Sequence, residues 1–303
     1  HRLHLPGVSN MNILPRFCEL PDELADLDHA VAAVIPVPYD LTSTWKKGAD
    51  QGPRAILEAS HHVEWYDLAT RRETCRLGIA TLEAVTTDKG PEVLADLVDQ
   101  RVTEVLDREV LPVVLGGEHS VSIGAIRAVA RERQDVTVLQ IDAHADTRES
   151  YAGSPFNHAC VMARAREICD IVQVGIRAVD ESEIAGLDDQ RVVWAHQING
   201  PRAQPGWVER VLGHLTDQVY VTIDLDGLDP SIVPATGTPE PGGLDWYQTF
   251  QILESVMKNR NVMGFDVVEL APINSMHAPE FIIARFIYNL FGIITRYMKT
   301  NST

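Results

Sequence analysis

The sequence predicts a single α/β domain in which a parallel sheet carries helices on both faces, and three observations lead there. From about residue 30 onward, short runs rich in Val, Ile and Leu alternate with longer amphipathic stretches. The order is strand then helix almost throughout, and no low-complexity linker or internal repeat divides the chain. Continuous apolar runs mark strands buried on both faces, and strand-helix alternation is what parallel crossovers require. A length of 303 residues admits one large α/β domain or two ordinary ones, so length does not choose. The order of elements does, and it favours one doubly wound domain spanning 1–303.

Strands are expected at 30–37, 113–115, 137–141, 171–174, 192–194, 219–223 and 262–268, each a short apolar run rich in β-branched residues. Helices are expected at 52–66, 92–109, 121–134, 159–168, 206–215, 246–258 and 279–297, the amphipathic stretches between them. Residues 1–10 precede Met11 and are set apart as candidate leader residues.

Composition narrows the class. With 45% hydrophobic and 23% charged residues the chain is globular, with enough apolar content for a large core. No uninterrupted apolar run approaches the ~20 residues that cross a bilayer, and the N-terminal stretch lacks the apolar centre of a signal peptide. A cytoplasmic protein with no membrane partner is expected. The net charge of −17 argues against nucleic acid, which wants clustered Lys and Arg, and suits a cationic substrate instead. Cys18, Cys75, Cys160 and Cys169 form no CxxC pair, so neither a disulfide framework nor a zinc cluster is expected.

In open α/β sheets ligands bind at the carboxyl ends of strands. Polar residues follow apolar runs in four places: Leu115-Gly-Gly-Glu-His119, Ile141-Asp-Ala-His-Ala-Asp146, Ile223-Asp-Leu-Asp226 and Val267-Val-Glu269. Asp142, His144 and Asp146 are spaced by two, which on an extended backbone places all three on one face. Asp224 and Asp226 repeat the device, and Gly116-Gly117 allows a sharp turn that brings in His119. Each motif alone reads equally well as capping or packing. Together they place two imidazoles and four carboxylates at one sheet edge, where unpaired carboxylates repel unless cations hold them. The donor set suits Mn²⁺ better than Zn²⁺. Two divalent ions cancel the four carboxylate charges, and a hydroxide between them leaves the site negative, a setting for a guanidinium cation.

Gly116-Gly-Glu-His-Ser120, Asp142-Ala-His-Ala-Asp146, Ser154-Pro-Phe-Asn-His158, Asp224-Leu-Asp-Gly-Leu-Asp-Pro230 and Thr236-Gly-Thr-Pro-Glu-Pro-Gly-Gly243 occur in that order. In these motifs the chain resembles the ureohydrolases, the arginase and agmatinase family, from roughly Pro36 to the C-terminus. The resemblance implies a three-layer α/β/α fold with a mostly parallel sheet, a binuclear manganese site, and a homotrimer or homohexamer. It makes His119, Asp142, His144, Asp146, Asp224 and Asp226 the ligands of two Mn²⁺ ions, with Asp142 and Asp226 bridging. His158 matches the family's proton-shuttle histidine and Glu269 the glutamate that holds the guanidinium. The implied reaction is hydrolysis of a guanidino compound to urea and an amine, with a proton reaching the amine through Asp146 and then His158.

The substrate tail is read from the loop after Asp146. Arg148 stands where arginases carry an Asn that handles the arginine carboxylate, so agmatine, yielding putrescine, is preferred over arginine. Arg148 also admits a carboxylate tail, as in guanidinobutyrate, and Glu149 an amine; Thr238 joins them as a substrate-binding candidate, and aminopropylagmatine is a further option. Other classes fare worse. A metallophosphatase would show more His-rich strand ends, a serine hydrolase at Ser120 lacks the G-x-S-x-G elbow, and no nucleotide-binding fingerprint occurs. A metal-free regulatory homologue is opposed by the six filled ligand positions.

Overall fold

Eight strands pair in parallel through the middle of the molecule, as shown by a computed structural model that describes residues 14–298. The candidate leader, residues 1–10, lies outside the described residues. In chain order the strands are β1 (Ala32–Val37), β2 (Tyr66–Asp67), β3 (Arg72–Glu73), β4 (Ile79–Thr81), β5 (Leu111–Gly116), β6 (Val136–Ile141), β7 (Asp170–Ile176), β8 (Val192–Trp194), β9 (Gln218–Asp224) and β10 (Asn261–Val268). The main sheet runs β4-β1-β5-β10-β9-β6-β7-β8, and β2 with β3 forms a separate antiparallel ribbon. All seven expected strands belong to the main sheet. The edge strand β4 and the ribbon β2–β3 lie outside the expected strands.

Alternation along each strand feeds two cores. Val34, Val113 and Leu115 face one side, where the helices Gly52–Ser60, Trp207–His214, Trp246–Asn259 and Ala278–Tyr297 pack. Ala33, Ile35 and Val114 face the other, under the helices Pro91–Leu106, Ser122–Glu132 and Val161–Ala165. Three layers result, in the expected single-domain arrangement. The helix expected over 52–66 stops at Ser60, whose hydroxyl bonds back to Leu57 O at 2.6 Å and accepts the Cys18 N–H at 2.7 Å. That tertiary bond diverts the chain toward β2.

The helix Ala278–Tyr297 is long and apolar enough to span a bilayer, although polar residues interrupt its apolar run. Its apolar face is taken up inside the molecule: Phe286, Ile287, Leu290 and Phe291 are fully buried in the first core.

Candidate metal centre

Three strand ends build the centre. β5 ends at Gly116, and the chain then passes so close to Tyr39 that a Cβ on Gly117 would lie 1.9 Å from the Tyr39 carbonyl oxygen. Only glycine fits there. The turn delivers a buried His119 whose Nδ1 lies 2.8 Å from Asp146 Oδ2, 3.2 Å from Asp142 Oδ2 and 3.4 Å from Asp224 Oδ2. His144 Nδ1 lies 2.9 Å from Asp226 Oδ2 and 3.7 Å from Asp142 Oδ1. Two donor groups emerge, His119 with Asp142 and Asp224, and His144 with Asp142 and Asp226. The six predicted ligand positions therefore converge.

Asp142 belongs to both groups, while Asp224 accompanies His119 and Asp226 accompanies His144. The backbone explains it. β9 ends at Asp224, and Leu225–Gly227 curls into a 3₁₀ turn in which Asp224 Oδ1 accepts the Asp226 N–H at 2.9 Å. A curl does not leave alternate residues on one face as a strand would. Asp146 likewise reaches His119 from a left-handed backbone, φ 53°, instead of an extended one.

The donor set fits divalent cations on an observation of its own. His119 Nε2 lies 2.9 Å from Thr222 Oγ1, whose proton is given to Asp266 Oδ1 at 2.7 Å, so Nε2–H must be the donor to Thr222. In the neutral imidazole that ligates a metal, Nδ1 is then the lone pair, buried among the carboxylates with no hydrogen bond of good geometry to them. A lone pair facing three carboxylates needs a cation between them, and the Thr222–Asp266 arrangement is how a ligating imidazole is oriented. Without cations, protons must serve. Burial, with the Asp226 and Asp142 charges, pushes the Asp224 carboxyl well above its ordinary range. Burial and the Asp142 charge bring Asp146 up to about 6.

Residues the sequence reading passed over hold the ligands in place. Gln140 Nε2 donates to Asp142 Oδ2 at 2.6 Å, and Gln173 Nε2 donates to Gln140 Oε1 at 2.6 Å. A glutamine inside each of two buried strands was the legible signal. Arg177 donates to the carbonyl oxygens of Asp226 (2.5 Å), Gly227 (3.3 Å) and Glu240 (2.7 Å), pinning the turn that carries Asp226.

The centre opens into a cavity of about 330 Å³ that also contains Glu269, His158 and Thr238. Glu269 follows β10 in a left-handed conformation, φ 70°, and its Oε1 accepts the His119 N–H at 2.7 Å. Glu269 is part-buried, and desolvation with the nearby Glu118 charge drives its carboxyl well above the ordinary range, although the His119 charge works the other way. His158 packs edge-on to Tyr151, and burial, together with the charges of His119 and His144, lowers it to about 4. Thr238 Oγ1 lies 3.4 Å from Asp226 Oδ2.

Two tail candidates part company. Arg148 lines the cavity, stacked 4.6 Å over Tyr151, with Glu183 Oε2 at 3.4 Å and Asp180 Oδ2 at 3.6 Å. Its charge is already matched. Glu149 does not line the cavity: it turns outward, 2.9 Å from Arg164 and 3.4 Å from Arg166, which corrects the expectation that it meets the substrate. The acids that do line the wall near Arg148 are Asp180 and Glu183.

Residues 30–292 match the model of the arginase family. The chain belongs to the arginase family. It is accordingly an arginase-family ureohydrolase, a hydrolase acting on guanidino C–N bonds. It is 37% identical over 277 residues to the N(1)-aminopropylagmatine ureohydrolase of Synechocystis sp., covering 87% of this chain and 89% of the relative. It is 31% identical to the agmatinase of Pyrococcus horikoshii, covering 92% of this chain and 96% of that one. The crystal structure of the agmatine ureohydrolase of Thermoplasma volcanium superposes with a TM-score of 0.83 at 29% identity, over 94% of this chain and 96% of that one. The arginase-like fold expected from the motifs is thus the fold observed.

Proposed function

We propose that this arginase-family chain hydrolyses a guanidino compound with a cationic amine tail, agmatine being the reference substrate and urea and putrescine the products. The observation that carries the reading is Glu269, a part-buried carboxylate in the same cavity as the imidazole-carboxylate cluster. Such a carboxylate takes the terminal nitrogens of a guanidinium as a bidentate charge-assisted pair and fixes the central carbon for attack.

His119, Asp142, Asp146 and Asp224 would hold one Mn²⁺ ion, and Asp142, His144 and Asp226 the other. When bound, the pair supplies hydroxide near neutral pH by lowering the pKa of water. Asp146 and His158 move protons toward the departing nitrogen, and Thr238 steadies Asp226. Arg148 is neutralised by Asp180 and Glu183, two acids to one base around the guanidinium, a local excess suited to an amine tail, with Lys46 elsewhere on the cavity wall. Guanidinobutyrate would find Arg148 already paired, and arginine would lack its carboxylate handle.

A second reading, N(1)-aminopropylagmatine, is favoured by the relatives that carry that name. It extends the same cationic tail by one aminopropyl unit and asks no different chemistry of the site. A cytoplasmic homotrimer or homohexamer completes the proposal.

Urea release from the Mn²⁺-loaded protein, measured across agmatine, N(1)-aminopropylagmatine, guanidinobutyrate and arginine, tests it. Turnover should be highest with one of the first two and weakest with arginine. No urea from any of the four would overturn the reading.

A further inference from the structure

Thr42 stands between a buried carboxylate and the imidazole that the proposed reaction uses. Glu118 is fully buried. Its Oε2 accepts the backbone N–H groups of Thr42 at 2.7 Å and Ser43 at 2.6 Å, with Ser43 Oγ at 3.2 Å. Its Oε1 lies 2.6 Å from Thr42 Oγ1 and 2.5 Å from Ser120 Oγ. Five donors converge on one carboxylate, which when ionised only accepts. The single proton of the Thr42 hydroxyl is therefore spent on Glu118.

That commitment decides what Thr42 offers on its other side. The same Oγ1 lies 3.1 Å from the backbone nitrogen of His158 and 3.1 Å from its ring Nδ1. An oxygen whose proton points at Glu118 presents only lone pairs there, so the backbone N–H and an Nδ1–H both donate to it. None of the described hydrogen bonds of His158 uses Nε2, and the ring lines the cavity. We propose that Thr42 and Glu118 are positioning residues that lock His158 in its Nδ1–H form, leaving Nε2 as the basic nitrogen for proton transfer.

The inference rests on the ureohydrolase reading and specifies how its protons move. In the hydrolysis a C–O bond forms, a C–N bond breaks, and the departing nitrogen gains both protons of the attacking water. One travels on Nε2, taken as water becomes hydroxide and released to the leaving nitrogen. The other leaves the new C–OH group as it becomes the urea carbonyl. Nδ1 keeps its proton throughout. While Nε2 is loaded, the charge of the imidazolium is offset through Thr42 by the Glu118 carboxylate, the part a buried aspartate plays for the histidine of a serine protease. The opposite tautomer would put the lone pair of Nδ1 against the lone pairs of Thr42 and leave nothing on Nε2 to accept a proton.

Neutron diffraction on deuterium-exchanged crystals of the manganese-loaded enzyme reads the tautomer directly. Deuterium on Nδ1 of His158, with Thr42 pointing its own deuterium at Glu118, is the expected result; deuterium on Nε2 alone overturns the proposal. This readout needs no turnover, so it stands apart from any failure of the substrate assignment. In solution, Thr42→Val keeps the shape of the side chain and removes the hydroxyl. It should lower kcat by about 100-fold, the scale of a lost proton-transfer group, with KM changed by less than about threefold. Thr42→Ser restores the hydroxyl and should recover kcat to within about threefold of wild type. Thr42→Val with an unchanged kcat, or Thr42→Ser as impaired as Thr42→Val, contradicts the relay.

Discussion

Glu269→Gln separates holding the substrate from holding the metal. The substitution keeps the shape of the side chain and removes one charge. Glutamine's amide oxygen can still accept the His119 N–H that Glu269 Oε1 now takes at 2.7 Å. What disappears is the charge-assisted part of two bonds to the guanidinium, each worth ~1.5–3 kcal/mol with charge and ~0.5–1.5 kcal/mol without. The amide NH₂ also turns one acceptor into a donor facing a donor. The loss comes to roughly 3–5 kcal/mol, and at ~1.36 kcal/mol per decade kcat/KM should fall by about 10²–10⁴. Stability should move the other way. Desolvation and the Glu118 charge leave Glu269 far above its ordinary pKa in the metal-free protein, so an amide that never ionises removes the cost of that shift. The assays are urea release, bound manganese per chain, and Tm without metal. His119→Ala and Asp226→Ala, by contrast, should lose manganese, since each removes a member of a donor group. Equal metal loss in all three variants, or a Glu269→Gln enzyme within about tenfold of wild type, would refute the division of labour.

Two further outcomes follow from the geometry. Glu149→Ala should leave kcat/KM for agmatine within about twofold, because Glu149 is engaged by Arg164 and Arg166 outside the cavity; Asp180→Asn, on the cavity wall, should lower it several-fold, and the reverse ranking would move the tail to the other side of Arg148. Away from the centre, burial would raise the Asp99 carboxyl, but hydrogen bonds from Arg131 and Arg127 outweigh it and hold the group below its ordinary 3.8. A depressed pKa adds stability above the unfolded value that disappears as pH falls through the folded one. Asp99→Asn should therefore lower Tm by on the order of 4 °C at pH 7, and the gap to wild type should close on titration below about pH 3.8; a gap that persists in acid would show that packing, not charge, stabilises that helix pair.

Much of the centre is legible because ligand chemistry is written in residue types and strand ends in apolar runs. Asp142, His144, Asp146, Asp224, Asp226 and His119 announce themselves by following such runs, and Glu269 by following the last of them. Gln140 and Gln173 were also legible, as polar residues inside buried strands, although their partners were not. The role of Glu118 is not legible in its motif, since nothing in its neighbours shows that a loop some seventy residues earlier donates to it.

The sequence by itself determined the fold class and, through motif order, the class of reaction, and it named the candidates for the centre, because periodicity, residue chemistry and motif order are local properties. Tertiary structure decided what depends on backbone direction and on partners far apart in the chain. The curl at Leu225–Gly227 set Asp226 beside His144 and Asp224 beside His119. Arg164 and Arg166 drew Glu149 out of the cavity, and Glu183 with Asp180 claimed Arg148. Thr42, 116 positions from His158 along the chain, meets it only once the sheet is folded, and the direction of a single hydroxyl proton there follows from donors that no spacing rule brings together.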